Sequence, residues 1–304
     1  MHAPLKYLQP DVVSKLSSME LRARLVVEGF ITGLHKSPYH GFSVEFAEHR
    51  QYMPGDEIRR IDWRVYGKTD RFYVKQYEEE TNLKSYIAID TSASMGFASE
   101  IDTNGTARIS KIAYASFIAA ALSYLMVQQR DAVGLMQYDT EVRSAVPPHA
   151  TQQHLRRLLI DLEKIRPSRT TNSAAALHNL AERLTRRSLV IVLSDLFDDP
   201  AAVMAALKHF RHNHHEVLVM HVLDPLERSF AFGSDAIFRD VETGESLATQ
   251  PYHVQRAYQT AMKDFVERYK RECREHSIDY VLLDTSVPFD TALLQYLNKR
   301  QRLH

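Results

Sequence analysis

Two hydrophobic periods divide the chain. From Asp11 to about Lys36, apolar residues recur at helical spacing (Val12, Val13, Leu16, Met19, Leu21, Leu25, Val26, Phe30, Ile31), which predicts an amphipathic helix ending near Gly33. Strand-like alternation follows over 42–47, breaks at the turn Tyr52-Met53-Pro54-Gly55-Asp56, and returns over 71–78 ahead of a polar run to Asn82. These elements predict a small N-terminal α+β module over residues 1–82. No Gly/Ser-rich linker follows it, so the module is expected to pack on the main domain, residues 83–304, rather than hang from a tether.

Beyond residue 83 the pattern changes to short apolar runs separated by longer amphipathic ones. Strands are predicted at 84–90, 131–138, 188–194, 216–223 and 279–283, with helices at about 107–129, 151–164, 173–187, 200–212, 253–275 and 289–300. Buried strands alternating with helices predict an α/β fold, a doubly wound, mostly parallel sheet with helices on both faces. The turn Asp139-Thr140-Glu141 makes 141–146 an antiparallel edge strand, and the stretch up to Gln250 carries a small hairpin around Phe238–Val241. Residues 112–127 are almost wholly apolar. The run is shorter than the roughly 20 residues a bilayer needs. It contains Ser116, Ser123 and two tyrosines, and is flanked by Lys111 on one side and by Gln128, Gln129, Arg130 and Asp131 on the other. A helix buried deep against the sheet is the expected outcome.

Charge changes the picture only by exclusion. Lys plus Arg and Asp plus Glu both number 38, so no net field steers the chain of 304 residues toward nucleic acid or an anionic membrane, and protein partners are expected. The lone Cys273 cannot form an internal disulfide, and no charged segment followed by an apolar one opens the chain. A reducing, cytoplasmic location is therefore expected.

Candidate chemistry begins at Asp90-Thr91-Ser92-Ala93-Ser94, directly after the apolar run 85–89. One carboxylate and two hydroxyls on alternate positions form an oxygen-only donor set, which suits a hard cation such as Mg²⁺. The alternative is a plain strand-to-helix turn in which Asp90 and Ser92 cap the next helix. The pattern D-x-S-x-S resembles the metal-ion-dependent adhesion site of von Willebrand factor A domains. That resemblance implies a Thr and an Asp from later loops. Thr171, in Pro167-Ser168-Arg169-Thr170-Thr171-Asn172, and Asp195, after the buried run 188–194, fill those places, with Thr170 as a substitute for Thr171. It further implies Mg²⁺ or Mn²⁺ held by Asp90, Ser92, Ser94, Thr171 and Asp195, partly through water, with one position open to a partner's carboxylate. In a parallel sheet such loops meet beyond the strands' carboxyl ends, where the winding reverses.

A second constellation runs from Arg50 to Trp63 and includes Asp56, Arg59 and Asp62. These charges can form an ion-pair network that pins the leading module, with Trp63 as an aromatic anchor; alternatively they present a partner surface, since Arg and Trp dominate interface hot spots. The string Y-x-P-G-D-x-x-R-x-I-D-W, followed by Lys75, Glu78, Glu80, the D-x-S-x-S strand, Ser194-Asp195-Leu196 and Leu223-Asp224-Pro225, resembles the bacterial domain of unknown function family 58. This resemblance implies a von Willebrand factor A-like domain and a MoxR-type AAA+ ATPase as partner, in assembly or metal loading of other complexes.

Among rival chemistries, a phosphotransferase of haloacid-dehalogenase type also places a nucleophilic Asp after its first strand, and Asp195, Asp198 and Asp199 superficially fit its acidic ligands. Such an enzyme needs a second carboxylate two residues after the nucleophile, where this chain has Ser92. No G-x-S-x-G elbow and no phosphate-binding G-x-x-x-x-G-K-[ST] loop is present. His209, His212, His214 and His215 are expected to form a solvated helix-to-strand turn, because their spacing makes no closed tetrahedral metal set without a Cys or a distant ligand.

Overall fold

The computed structural model describes residue 19 and residues 49–53, 63–75, 84–99, 109–168, 173–232, 236–239 and 246–287. Two compact units are distinguished, Lys36–Asn82 and the rest of the chain. The expected strand at 42–47 and the terminal helix at 289–300 lie outside the described residues, as does all of the expected helix 11–36 apart from Met19.

In the smaller unit, β1 (His49–Gln51) pairs antiparallel with β2 (Tyr73–Lys75), and α1 (Trp63–Thr69) lies between them in sequence. Its aromatic residues contact one another: Tyr66 stacks on Phe72 at 4.4 Å, and Trp63 meets both rings edge-on. Trp63 is 57% exposed, so it does not serve as a buried anchor within this unit. Arg50 falls in β1; Asp56, Arg59 and Asp62 lie outside the described residues.

The larger unit holds β3 (Lys84–Asp90), α2 (Lys111–Gln128), β4 (Ala132–Tyr138), β5 (Val142–His149), α3 (Gln152–Lys164), α4 (Ser173–Arg183) and β6 (Leu189–Ser194). It continues with α5 (Pro200–His212), β7 (Glu216–Leu223), α6 (Pro225–Ser229), the hairpin β8 (Ala236–Arg239) and β9 (Ser246–Thr249), α7 (Pro251–Glu275) and β10 (Asp279–Asp284). Six strands form one sheet in the order β10-β7-β6-β3-β4-β5, all parallel except the edge strand β5. This is the von Willebrand factor A-like arrangement. The chain winds from β3 toward β4 on one side and resumes at β6 on the other, so the winding reverses between β3 and β6.

Strand alternation assigns the two faces. Ile87, Ile89, Ile191, Leu193, Leu218 and Met220 pack with α2 and α3, whereas Ala88, Val190, Val192, Val217 and Val219 pack with α4, α5 and α7. α2 is apolar all round, as expected, and it has the length and hydropathy to cross a membrane. Most of it is instead buried inside the unit, where it covers the first face of the sheet. Lys111, the flank of the apolar run, is itself fully buried.

Element ends follow local chemistry. α2 starts one turn later than expected, at Ser110, whose Oγ accepts the Ala113 N–H, so neither Asp90 nor Ser92 caps it. β5 extends past its expected end through Pro147 and Pro148, which an edge strand tolerates because its outer N–H groups need no partner. Gly134 in β4 faces this strand so closely that a Cβ would stand 2.7 Å from the Val146 carbonyl oxygen. α6, unforeseen within the stretch before the hairpin, is set by a capping box in which Asp224 accepts the Leu226 N–H and Glu227 accepts the Asp224 N–H.

Candidate metal centre

Asp90 is the last residue of β3 and lies level with Ser194, because the register Ile89–Leu193 continues by one residue. Their side chains meet: Ser194 Oγ donates to Asp90 Oδ2 at 2.6 Å, and the Ser92 N–H donates to Asp90 Oδ1 at 2.8 Å. The second bond curls the chain into a turn, which the short 3₁₀ segment Ser94–Gly96 continues. As a result Ser92 Oγ and Ser94 Oγ come within 3.1 Å of each other. Gly96 lets this turn approach Pro167, since a Cβ there would stand 2.9 Å from Pro167 Cγ.

Asp195 follows β6 on the adjacent strand. The next residue, Leu196, is buried yet holds φ at 56°, a left-handed backbone that a branched side chain rarely adopts. The turn is held by the Leu196 N–H on Ser194 Oγ and the Phe197 N–H on Asp195 Oδ1. Asp90, Ser92 and Asp195 are all buried, so the two carboxylates occupy one dehydrated crevice at the winding reversal. Burial and the neighbouring Asp195 charge push the Asp90 carboxyl up to about 7, outweighing the hydrogen bonds from Ser194 and Ser92 that favour its anion.

Thr171 and its alternate Thr170 lie outside the described residues. The residues on either side of them are tethered to the same crevice. The Ser168 N–H donates to the Thr91 carbonyl at 2.6 Å, while Ser173 Oγ and the Ala174 N–H donate to Asp198 Oδ2.

Three residues of the crevice carried no sequence signal. Lys111 Nζ lies 2.7 Å from Asp195 Oδ2 and 2.5 Å from Glu227 Oε1, and 4.7 Å from the centre of the Phe197 ring. Burial alone would drive off its proton, but the two carboxylates outweigh burial and raise its proton affinity, so it stays an ammonium. Burial likewise lifts Glu227 to about 7 against the pull of Lys111. His221, from β7, accepts no charge: burial presses it down to about 4. Its Nε2 lies 2.8 Å from the Asp195 carbonyl oxygen, which can only accept, so Nε2 carries the proton and Nδ1 receives the Tyr280 hydroxyl at 2.6 Å. A lysine at the edge of an apolar run and a histidine inside a strand are patterns common to surfaces and cores alike, so only the assembled crevice reveals them.

The acids that made a phosphotransferase plausible have other duties. Asp198 receives Ser173 and Ala174, and Asp199 caps α5 through the Ala201 and Ala202 N–H groups. The expected solvated histidine turn holds for His212 and His214, which are exposed, and is corrected for the other two. His215 is buried with Nε2 3.3 Å from the Leu184 carbonyl oxygen, and His209 pairs with His178 of α4.

Residues 48–271 match the family described as Protein of unknown function DUF58. The chain belongs to the DUF58 family. Among its relatives is the uncharacterized protein Rv1480 of Mycobacterium tuberculosis, 28% identical over 77% of this chain and 72% of that one. Solved structures similar to this DUF58 chain include an aerotolerance-related membrane protein from Bacteroides fragilis, at 21% identity, 71% and 99% coverage and a TM-score of 0.48. A von Willebrand factor type A protein from Catenulispora acidiphila is similar at 13% identity, 62% and 42% coverage and a TM-score of 0.32. The family match thus spans the six-stranded, mostly parallel sheet up to and including β7 and most of α7.

The expectation of a cytoplasmic location does not stand. One of these similar structures is described as a membrane protein, and neither a lone cysteine nor a balanced charge reports whether a domain of this kind is tethered to a bilayer.

Proposed function

We propose that this DUF58 chain is a non-enzymatic, metal-dependent protein-binding module. Asp90, Ser92, Ser94, Thr171 and Asp195 would hold Mg²⁺ or Mn²⁺, partly through water, and leave one position for a carboxylate from a partner protein. The observation that carries the reading is the pair of hydroxyls 3.1 Å apart beside a buried carboxylate. Neighbouring oxygens around an octahedral Mg²⁺ at 2.0–2.1 Å stand about 2.9 Å apart, so Ser92 and Ser94 already have the required bite.

Charge supports the same reading. Asp90, Asp195 and Glu227 against the one ammonium of Lys111 leave a formal surplus of two negative charges when all three acids ionise, in a crevice where burial makes that surplus costly. A divalent ion bound there supplies the missing charge and a Lewis-acidic position for an incoming acid group. Lys111 and the Phe197 N–H hold Asp195 in place, which suits contact with the ion through water better than direct ligation.

The sequence resemblance carried by the string over 52–63 and the strand-end motifs implies an adaptor role beside a MoxR-type AAA+ ATPase, in assembly or activation of protein complexes, with ATP hydrolysis supplied by that partner. Pull-down of the intact protein with Mg²⁺ or with EDTA, for wild type and Asp90→Ala, tests both parts. Wild type should retain a partner only with Mg²⁺ and Asp90→Ala should retain none; equal capture in all four samples refutes metal dependence, and a retained set lacking a MoxR-type ATPase refutes the adaptor role.

A further inference from the structure

We infer a second metal site, of different chemistry, between α4 and α5: a two-histidine chelate formed by His178 and His209 that takes an imidazole-seeking transition ion such as Zn²⁺. The two side chains face each other from neighbouring helices with Nδ1 to Nδ1 at 3.2 Å and ring planes inclined at 45°. Two nitrogens bound to a tetrahedral Zn²⁺ at 2.0–2.1 Å stand about 3.3 Å apart. The pair therefore has the bite of a chelate before any ion arrives.

Its surroundings hold that geometry. Leu177, Leu180 and Ala181 of α4 pack with Met204, Ala206 and Leu207 of α5 in one buried cluster, and Asn213 Nδ2 ties the end of α5 to the Ala181 carbonyl. Neither helix can drift without opening this core. Both histidines are only partly buried, so an ion and its waters can reach them from solvent. Among the described residues no group of three or more His, Cys, Asp and Glu side chains assembles around a metal position, so the remaining coordination places fall to water or to an added ligand.

Proton balance is simple. Without an ion, one ring donates its Nδ1–H to the lone pair of the other. With an ion, both Nδ1 lone pairs point at the metal, and the donor ring carries its proton on Nε2 instead. No net proton is released from the neutral pair. Imidazole donors select Zn²⁺, Ni²⁺ or Cu²⁺ over Mg²⁺, which separates this site from the oxygen-lined crevice at the strand ends.

Zn²⁺ titration by calorimetry, with Mg²⁺ in excess to shield the oxygen site, tests the inference on the full chain. Wild type should show a Zn²⁺ site that His178→Gln and His209→Gln each weaken at least about tenfold, because losing one of two linked donors forfeits the gain from chelation. His212→Gln and His214→Gln, on exposed neighbours, should leave it unchanged, and Zn²⁺ should raise the melting temperature of wild type but not of His178→Gln. Unaltered Zn²⁺ affinity in His178→Gln, or an equal loss in the His212 and His214 variants, overturns the assignment.

Discussion

Asp90 is held by Ser194 and Ser92 in a crevice that disfavours its charge, so what it contributes differs with and without an ion. Asp90→Asn keeps the size of the side chain and removes the anion. Mn²⁺ or Mg²⁺ should raise the melting temperature of wild type and leave that of Asp90→Asn unmoved, as a ligand selective for the folded state requires. A thermal-shift titration reads this directly. Lys111 gives a second prediction at this scale. Lys111→Met strands Asp195 and Glu227, both deprived of their counter-ion in a buried place, and should cost about 3–5 kcal/mol in urea unfolding. The added Lys111→Met, Glu227→Gln change should restore part of it, because one of the stranded charges is gone.

Secondary structure is legible where one signal dominates and blurred where two compete. β6 reads from a run of six buried residues, and α3 from leucines at helical spacing opened by Thr151, whose Oγ accepts the His154 N–H. The start of α2 is less legible because the chain ahead of Ser110 offers several polar residues of capping type. β5 is longer than its alternation suggests, since two prolines look like a strand end until the edge position is known. Gly134 marks the close approach of this edge. Gly134→Ala should force β4 and β5 apart at Val146 and lower stability by about 1–3 kcal/mol, with the loss of amide protection confined to β5 and its neighbours in hydrogen exchange.

For the molecule as a whole, histidines buried in neutral form contribute a pH-dependent part of the stability. Burial holds His154 and His215 below their usual 6.5, outweighing the carbonyl partners Val133 and Leu184 that favour the charged ring. A histidine whose folded value is depressed stabilises fully above its unfolded value, and that stability is lost as pH falls through 6.5 toward the folded value, because the unfolded chain takes up the proton first. The difference in urea stability between wild type and His154→Gln should therefore fall as the pH drops below about 6.5, a comparison that cancels the opposite contribution of Asp90 and Glu227, whose raised values make the folded chain take up protons from about pH 7; a pH-independent difference counts against the buried neutral ring.

Local pattern determined the architecture of this chain. Runs of buried strands, the helices between them and an antiparallel edge follow from period and turn chemistry, and Asp90 and Asp195 announce themselves by standing at strand ends. Tertiary structure alone decided which side chains share the crevice and with what charge. Lys111, Glu227 and His221 come from separate elements, and nothing local to a buried lysine or histidine tells it from an exposed one. The same holds for His178 and His209, 31 positions apart, which meet only because α4 and α5 pack side by side. Sequence reports the neighbours along a chain, whereas proton affinity and metal bite depend on neighbours in space, which exist only once the sheet has brought its loops together.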